Sequence, residues 1–281
     1  MCIRDRDNTK TVNDKCYHRI ITGTIDAELF ALDGKTGELC SDFGENGKVD
    51  LRDGLGAHNP AYYYSVSPPA IIGNLIILGG GVTDNVSTSV PGGVVRAYNI
   101  RTGDLEWYWD PVPPGMEINS SDNGNAEYQR GTANVWSIIS TDPDLNLIYL
   151  PTGNASPDYY GGHREGLDYY NSSIVALHAD TGEVAWHFKT VYHDVWDYDV
   201  PSQPTFYDIE KDFEFALKGI FKLPDEARFG VYTAYKYYNK LLMKLKRTPS
   251  DSIQNKRIRV PNYQKITVFA RSYLKYRLNL L

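Results

Sequence analysis

The sequence predicts an all-β fold, a partial β-propeller of about three blades, on three observations. One unit recurs three times, short apolar runs of strand length lie between its copies, and tight glycine turns punctuate them. The copies are Leu29–Cys40, Val95–Trp107 and Ile174–Trp186. Ala31, Ala97 and Ala176 each stand five residues ahead of a Thr-Gly pair (Thr36-Gly37, Thr102-Gly103, Thr181-Gly182), and in two copies a tryptophan follows the glycine by four. Each copy is a strand, a turn and a strand. Glycine supplies the positive φ of a tight hairpin, alanine lets sheets stack closely, and the tryptophan can cover the neighbouring sheet.

Taken in order, residues 1–6 match the translation of a transposon-end adapter used in DNA library preparation and are set aside as adapter. The region taken as propeller is 7–208. Arg19–Thr24 is the first expected strand, followed by the first copy. Cys16 and Cys40 flank this two-strand segment, so they could pair as a disulfide or stand as two reduced, buried thiols. Ala70–Leu78 precedes the second copy, and Trp136–Ser140 and Leu147–Pro151 precede the third; all three are expected strands. The copies are 66 and 79 residues apart, longer than a four-stranded blade needs, so the connecting loops are long and are where a site would lie. About three blades do not close a ring, which leaves open sheet edges and marks a fragment.

Charge divides the chain near Asp208. Residues 1–208 carry 13 basic against 29 acidic side chains, and residues 209–281 carry 16 against 6; 22 of the 24 glycines and all five tryptophans lie before the division. Val231–Arg247 can form a basic amphipathic helix of the kind that lies on anionic lipid. The competing reading is that 209–281 is frame-shifted or chimeric translation, since glycine, tryptophan and acidic residues thin out together; no function is assigned to it. The longest charge-free stretch, Ser65–Thr83, holds two prolines and several glycines and is no spanning helix, and no signal peptide is visible. The acidic first part argues against nucleic acid as a partner. There is no Gly-x-Gly-x-x-Gly opening a helix, no P-loop and no Gly-x-Ser-x-Gly, which disfavours nicotinamide binding, phosphoryl transfer and serine hydrolysis. The six histidines, His163 among them, show no paired ligand spacing, so no zinc site is expected.

Three places carry chemistry. In His193–Pro201, Asp194, Asp197 and Asp199 crowd among aromatic side chains. Like charges in an apolar setting raise a carboxyl pKa, and such a carboxylate can take a proton from an alcohol. In an extended segment Asp197 and Asp199 would face one side and Asp194 and Trp196 the other. An acidic surface turn is the alternative. Asp84-Asn85 follows Gly79-Gly80-Gly81 and offers hard oxygen donors suited to calcium or magnesium, or else an ordinary Asx turn. Trp136 could stack an indole face on a flat cofactor or simply fill a core, with Arg130, Gly131 and Asn134 beside it.

The repeat resembles the tryptophan-docking motif of quinoproteins, dehydrogenases that use pyrroloquinoline quinone and fold as eight-bladed propellers. From residue 16 to about 208 the chain resembles the central part of the membrane-bound quinoprotein glucose dehydrogenase family, which includes quinate/shikimate and polyol enzymes. The segments carrying this are Tyr63–Pro69, Thr83–Ser87, Gly131–Ser137, Gly153–Asp158, Tyr160–His163 and His193–Pro201. The resemblance implies that Asp197 is the catalytic base, with His193 and Asp194 as neighbours. It implies that Asp84, Asn85 and Ser156 hold a calcium or magnesium ion, Ser156 standing where many relatives have threonine, and that Trp136, Ser156 and Asn85 contact the quinone. It further implies oxidation of glucose or a related sugar or polyol, hydride moving to the quinone and electrons to ubiquinone, at the periplasmic face of the inner membrane. Gly153–Asp158 leans towards the glucose-type members, with quinate/shikimate enzymes as the alternative. The family's quinone-contacting lysine would fall near Pro224; Lys218 and Lys222 are close in number but lack its context. The chain by itself is therefore expected neither to close its propeller nor to turn over. A non-catalytic scaffold could carry the same repeat, but would have no need of Asp84, Asn85, Trp136, Ser156 and Asp197 together.

Overall fold

The computed structural model describes residues 3–6, 14–118, 123, 125–206, 209–249, 252, 257–278 and 280. The chain divides into two compact units, residues 1–205 and 206–281. The first holds three four-stranded antiparallel sheets. Sheet one is β1 (Ile3–Arg6), β2 (His18–Gly23), β3 (Glu28–Asp33) and β4 (Lys48–Asp50). A two-stranded ribbon pairs β5 (Tyr63–Tyr64) with β8 (Gly81–Val82), and encloses the hairpin of β6 (Ala70–Ile72) and β7 (Leu75–Leu78). That hairpin joins β9 (Val95–Asn99) and β10 (Leu105–Trp109) in sheet two, ordered β10-β9-β7-β6. Sheet three runs β11 (Ser140–Asp142), β12 (Leu147–Pro151), β13 (Ser173–His178) and β14 (Val184–Lys189).

The inner strands β7 and β9 of sheet two are buried on both faces, and β7 is accordingly a continuous apolar run rather than an alternating one. Ile76, Leu78 and Tyr98 belong to a core shared with Ile21, Leu29 and Ala31 of sheet one. Their strand neighbours Ile77, Val95 and Ala97 belong to a second core with Ile148, Leu150, Val175 and Leu177 of sheet three. The two-residue period of a strand thus divides one sheet between two interfaces, as stacked blades require.

The repeat turns carry the left-handed glycine that the sequence predicts, Gly37, Gly103 and Gly182 at φ 74, 77 and 74°. In sheets two and three the repeat supplies the third and fourth strands. In sheet one it does so only in part. Leu39 makes a single bridge to Leu32, the chain then leaves the sheet, and the edge resumes at Lys48–Asp50 opposite Glu28–Phe30. The excursion is anchored by a disulfide between Cys16 and Cys40, and its Gly44 N–H donates to the Thr102 carbonyl of the next repeat turn at 2.7 Å. Trp107 makes the corresponding reach from sheet two to sheet three: its indole N–H donates to the Ala179 carbonyl at 3.0 Å, and its ring covers Gly182 so closely that a Cβ there would lie 2.5 Å from it.

Two further expectations need adjusting. The strand expected over 136–140 exists only at Ser140, because Trp136 and Ser137 are tied by other bonds: Ser67 Oγ donates to the Trp136 carbonyl at 2.5 Å and Ser137 Oγ to that of Pro201 at 2.6 Å. The all-β expectation describes the first unit only. The second unit is helical, with α1 (Ile209–Ile220), α2 (Asp225–Leu245) and α3 (Asn262–Arg277). Pro224 and Pro261 precede α2 and α3, where a proline's fixed φ and missing N–H suit a helix start. Phe229 of α2 packs edge-on against Phe269 and Tyr273 of α3. The Val231–Arg247 stretch falls mostly within α2. Among the described residues no helix is long and apolar enough to cross a membrane.

Candidate functional site

Loops from sheets two and three converge on a cleft of about 760 Å³, lined by Tyr64, Val66, Gly81, Val82, Asp84, Asn134, Trp136, Asp197, Tyr198, Asp199 and Pro201. That volume suits a small-molecule ligand. Asp84 arrives just after the β5–β8 ribbon, Asn134 and Trp136 precede sheet three, and Asp197 and Asp199 follow β14.

The loop bearing Asp197 is wound around Asp194, which is fully buried. Its carboxylate accepts from the Asn154 amide (2.9 Å), the Ser172 hydroxyl (2.7 Å), and the main-chain N–H groups of Trp196 (2.9 Å) and Tyr198 (2.7 Å). Burial would raise the Asp194 pKa, but these donors together hold it below the usual carboxylate range. The turn they close sets Asp197 at φ 63°, an uncommon backbone state for a non-glycine residue, and Asn85, next to Asp84, is at φ 55°. Because the segment is turned and not extended, Asp194 and Trp196 do not share a side. Asp194 is buried and Trp196 is 70% exposed, while Asp197 and Asp199 both line the cleft.

Asp84, Asp158 and Asp197 each bring a carboxylate oxygen within 4.8 Å of the other two. Asp158, which sequence reasoning did not single out, is the buried member. Asn85 holds it from both ends: the Asn85 amide donates to its carboxylate at 2.8 Å, and its main-chain N–H donates to Asn85 Oδ1 at 3.0 Å. Burial, then the charges of Asp84, Asp197 and Asp199, push the Asp158 pKa up to about 7 against the opposing pull of Arg164. Ser156 is buried two residues earlier, its hydroxyl donating to the Ser87 carbonyl at 3.0 Å. Tyr159 OH donates to Asp197 at 3.3 Å.

Also lining the cleft, the Trp136 indole N–H donates to Asp199 at 2.7 Å. Burial raises the Asp199 pKa despite this bond, and Asp197 and Asp84 add to the rise. Asp199 Oδ1 and Asn134 Oδ1 are buried with no hydrogen-bond partner among the described residues. Gly153 lies against both side chains: a Cβ there would be 2.6 Å from Asn134 Oδ1 and 2.7 Å from Asp199 Oδ2. Of the remaining candidates, Arg130 donates to the Ser89 and Ala57 carbonyls, and His193 Nδ1 meets Asp168 at 3.0 Å. His163 stacks edge-on with Tyr160. The Asp158 and Asp199 contacts join residues 63 to 73 positions apart, and only the aspartate at the end of Gly153–Asp158 hinted at the first.

Oxygens bound to one calcium at about 2.4 Å can stand up to about 5 Å apart, so the three carboxylates are close enough together to share such an ion. Asp84, Asp197 and Asp199, which line the cleft, and the buried Asp158 beside them repel an anionic ligand unless a cation intervenes. A flat quinone bearing carboxylates is accommodated on these terms, with Trp136 as a face to lie against and the orphaned oxygens of Asp199 and Asn134 awaiting donors.

Stacked four-stranded antiparallel sheets with interlocking repeat turns, and an acidic cleft at the loop ends, define part of a β-propeller. Residues 3–216 match the family described as PQQ: glucose/ethanol/alcohol dehydrogenase, beta-propeller domain, and the chain belongs to this family of quinoproteins. It is 42% identical over 198 residues to the quinate/shikimate dehydrogenase (quinone) of Acinetobacter baylyi, covering 70% of this chain and 24% of that protein. It is 40% identical to the glycerol dehydrogenase large subunit of Gluconobacter oxydans (69% and 26% covered) and 39% identical to the quinoprotein glucose dehydrogenase of Escherichia coli (69% and 24%). Among solved structures, the quinohemoprotein alcohol dehydrogenase of Comamonas testosteroni matches with TM-score 0.51 at 25% identity, over 66% of this chain and 28% of that one. The chain thus spans about a quarter of the length of the curated relatives it matches.

Proposed function

We propose that the chain supplies the cation-binding and proton-accepting side of the active site of a pyrroloquinoline quinone-dependent dehydrogenase that oxidises a carbinol of glucose or a related sugar or polyol. The observation that carries this is the cleft itself, where the Asp84, Asp158 and Asp197 carboxylates gather near the Trp136–Asp199 pair. Asp84, Asp158 and Asp197 would hold the calcium or magnesium ion, while Asn85 and Ser156 fix the loops behind them through Asp158 and the Ser87 carbonyl. When bound, the quinone supplies a two-electron acceptor for hydride, made more electrophilic by the cation. Asp197 takes the hydroxyl proton of the substrate, and the Tyr159 hydroxyl orients its carboxylate. Trp136 presents an apolar face to the quinone, its orientation fixed by Asp199. In the whole protein the electrons pass to ubiquinone at the periplasmic face of the inner membrane.

A cyclic polyol such as quinate is the second reading, favoured by the 42% identity to the quinate/shikimate enzyme. The test has two arms. Calcium-dependent quenching of tryptophan fluorescence by added quinone is expected for the chain, and is expected to disappear in Asp84→Ala; quenching that ignores both calcium and Asp84 would overturn the site. Residues 16–208 are then placed in the matching segment of the full-length A. baylyi relative, where dye reduction with glucose, quinate and glycerol is compared. Asp197→Asn is expected to abolish reduction of the substrate that turns over while leaving quinone binding intact. Activity surviving Asp197→Asn would remove that residue as the base.

A further inference from the structure

We infer that Arg164 is a positioning residue that sets the spacing of the Asp84, Asp158 and Asp197 carboxylates, and through it the affinity of the cleft for a divalent cation. The inference rests on the cation-site reading above. Arg164 is 1% exposed, so its guanidinium must find every partner within the protein. Those partners are main-chain carbonyls on two loops. Nε donates to Pro157 at 3.0 Å and Nη2 to Asp158, on the loop that delivers the buried member of the triad. Nη1 donates to Asp194 at 2.5 Å, where the turn that presents Asp197 begins.

No other side chain among the described residues hydrogen-bonds the main chain of both loops in this way. Asn154 and Ser172 also link the two regions, but through the Asp194 carboxylate, which organises the inside of the turn. The planar fork of Arg164 fixes the distance between turn and loop: three donors held rigidly in one plane define how far Asp158 O stands from Asp194 O. Carboxylates that repel one another would drift apart without such a tie, and the cation would meet two ligands in place of three. The guanidinium adds a buried positive charge near Asp158 and Asp194, which offsets part of the repulsion. Lysine cannot replace it, because one ammonium offers no planar fork and cannot span three fixed carbonyls.

The test uses calcium alone, titrated calorimetrically into the metal-free chain, together with amide hydrogen exchange over residues 153–158 and 193–199. Arg164→Ala is expected to weaken calcium binding at least tenfold, with added ethylguanidinium restoring most of it, and Arg164→Lys to fall between. Exchange is expected to rise in both loops together while the amides of β12 and β13 stay protected. If Arg164→Ala does not fold, Arg164→Lys with the same two readouts decides. Calcium affinity within threefold of the parent chain in a folded variant overturns the inference, as does affinity loss that ethylguanidinium leaves untouched. If the parent chain itself takes up no calcium, the cation-site reading fails by itself. Exchange then decides for Arg164: a joint rise in both loops supports the tie between them, and a rise in one or neither refutes it.

Discussion

Replacing Asp194 with alanine removes an acceptor from four donors at once, and the cost follows from where those donors stand. Asn154 and Ser172 are buried and cannot turn to water. The Ser172 hydroxyl keeps Asn154 Oδ1 as an acceptor at 3.0 Å, so the Asn154 amide is the buried donor left unpaired, at a cost of about 2 kcal/mol. The amides of Trp196 and Tyr198 lie on exposed residues and regain water, adding little. Urea unfolding of Asp194→Ala at pH 7 is therefore expected to show a loss of about 2 kcal/mol, and Asp194→Asn, which keeps one acceptor oxygen, a smaller one. The pH dependence has a defined sign. The folded pKa of Asp194 lies below its unfolded value, so its contribution is present above pH ~4 and is lost as pH falls through the folded value. The gap between parent and alanine variant must close on acidification. A loss under about 1 kcal/mol, or a gap that does not depend on pH in the acid range, would refute the idea that this one carboxylate holds the Asp197 turn.

Three other outcomes follow from the same structure. Trp107→Ala is expected to cost about 3 kcal/mol in urea unfolding, and to speed exchange at residues 179–182 of the next sheet, since it removes both the bond to Ala179 and the cover over Gly182; unchanged exchange there would show that the sheets do not lean on this contact. Burial raises Asp110 to about 7, although the Gln129 N–H donates to it at 2.6 Å. Its folded form therefore holds a proton that the unfolded chain releases near pH 4, and stability falls as pH rises from about 4 to 7, by up to about 4 kcal/mol. Asp110→Asn should flatten that decline in thermal melts at pH 5 and pH 8, and an unchanged slope would acquit Asp110. Reduction of the Cys16–Cys40 disulfide, which closes a loop with a sequence separation of 24, is expected to lower stability by roughly 3 kcal/mol in matched urea titrations with and without reductant.

What could be read from the sequence was whatever local rules control. The Thr-Gly turns needed only a residue free to take positive φ, and Gly37, Gly103 and Gly182 took it. The tryptophan four residues later reached the neighbouring sheet at Trp107 because hairpin geometry sends it there. The first copy departed from the pattern where its sequence does. Ser41 stands in place of the tryptophan, and the chain reaches the next turn with the backbone of Gly44 instead, by a loop that Cys40 ties back. Long-range geometry was out of reach. The segment from Trp136 has strand-like composition, but its hydrogen bonds go to Ser67, Asp199 and Pro201, and nothing local foretells that. Asp158 was hidden for the same reason, and so was the pairing of Asp199 with Trp136, since each depends on a partner on another loop. Asp194 looked like a third member of an acidic row, and only its four donors show it to be the centre of the turn.

The placement of these carboxylates suggests why the cleft is built against its own stability. Asp158 and Asp199 are both held above their ordinary pKa by burial and by neighbouring aspartates, so the cleft without a cation is strained near neutral pH. Two further strained points, the positive φ of Asn85 and of Asp197, lie on the loops that bring the charges together. A fold free to relax would let those loops separate. Here Asn85 binds Asp158 at both ends, Arg164 bridges to the Asp194 turn, and Trp136 fixes Asp199. Each tie opposes the repulsion that the next carboxylate adds. Such an arrangement favours whatever ligand supplies the missing positive charge, because binding then releases strain as well as forming contacts.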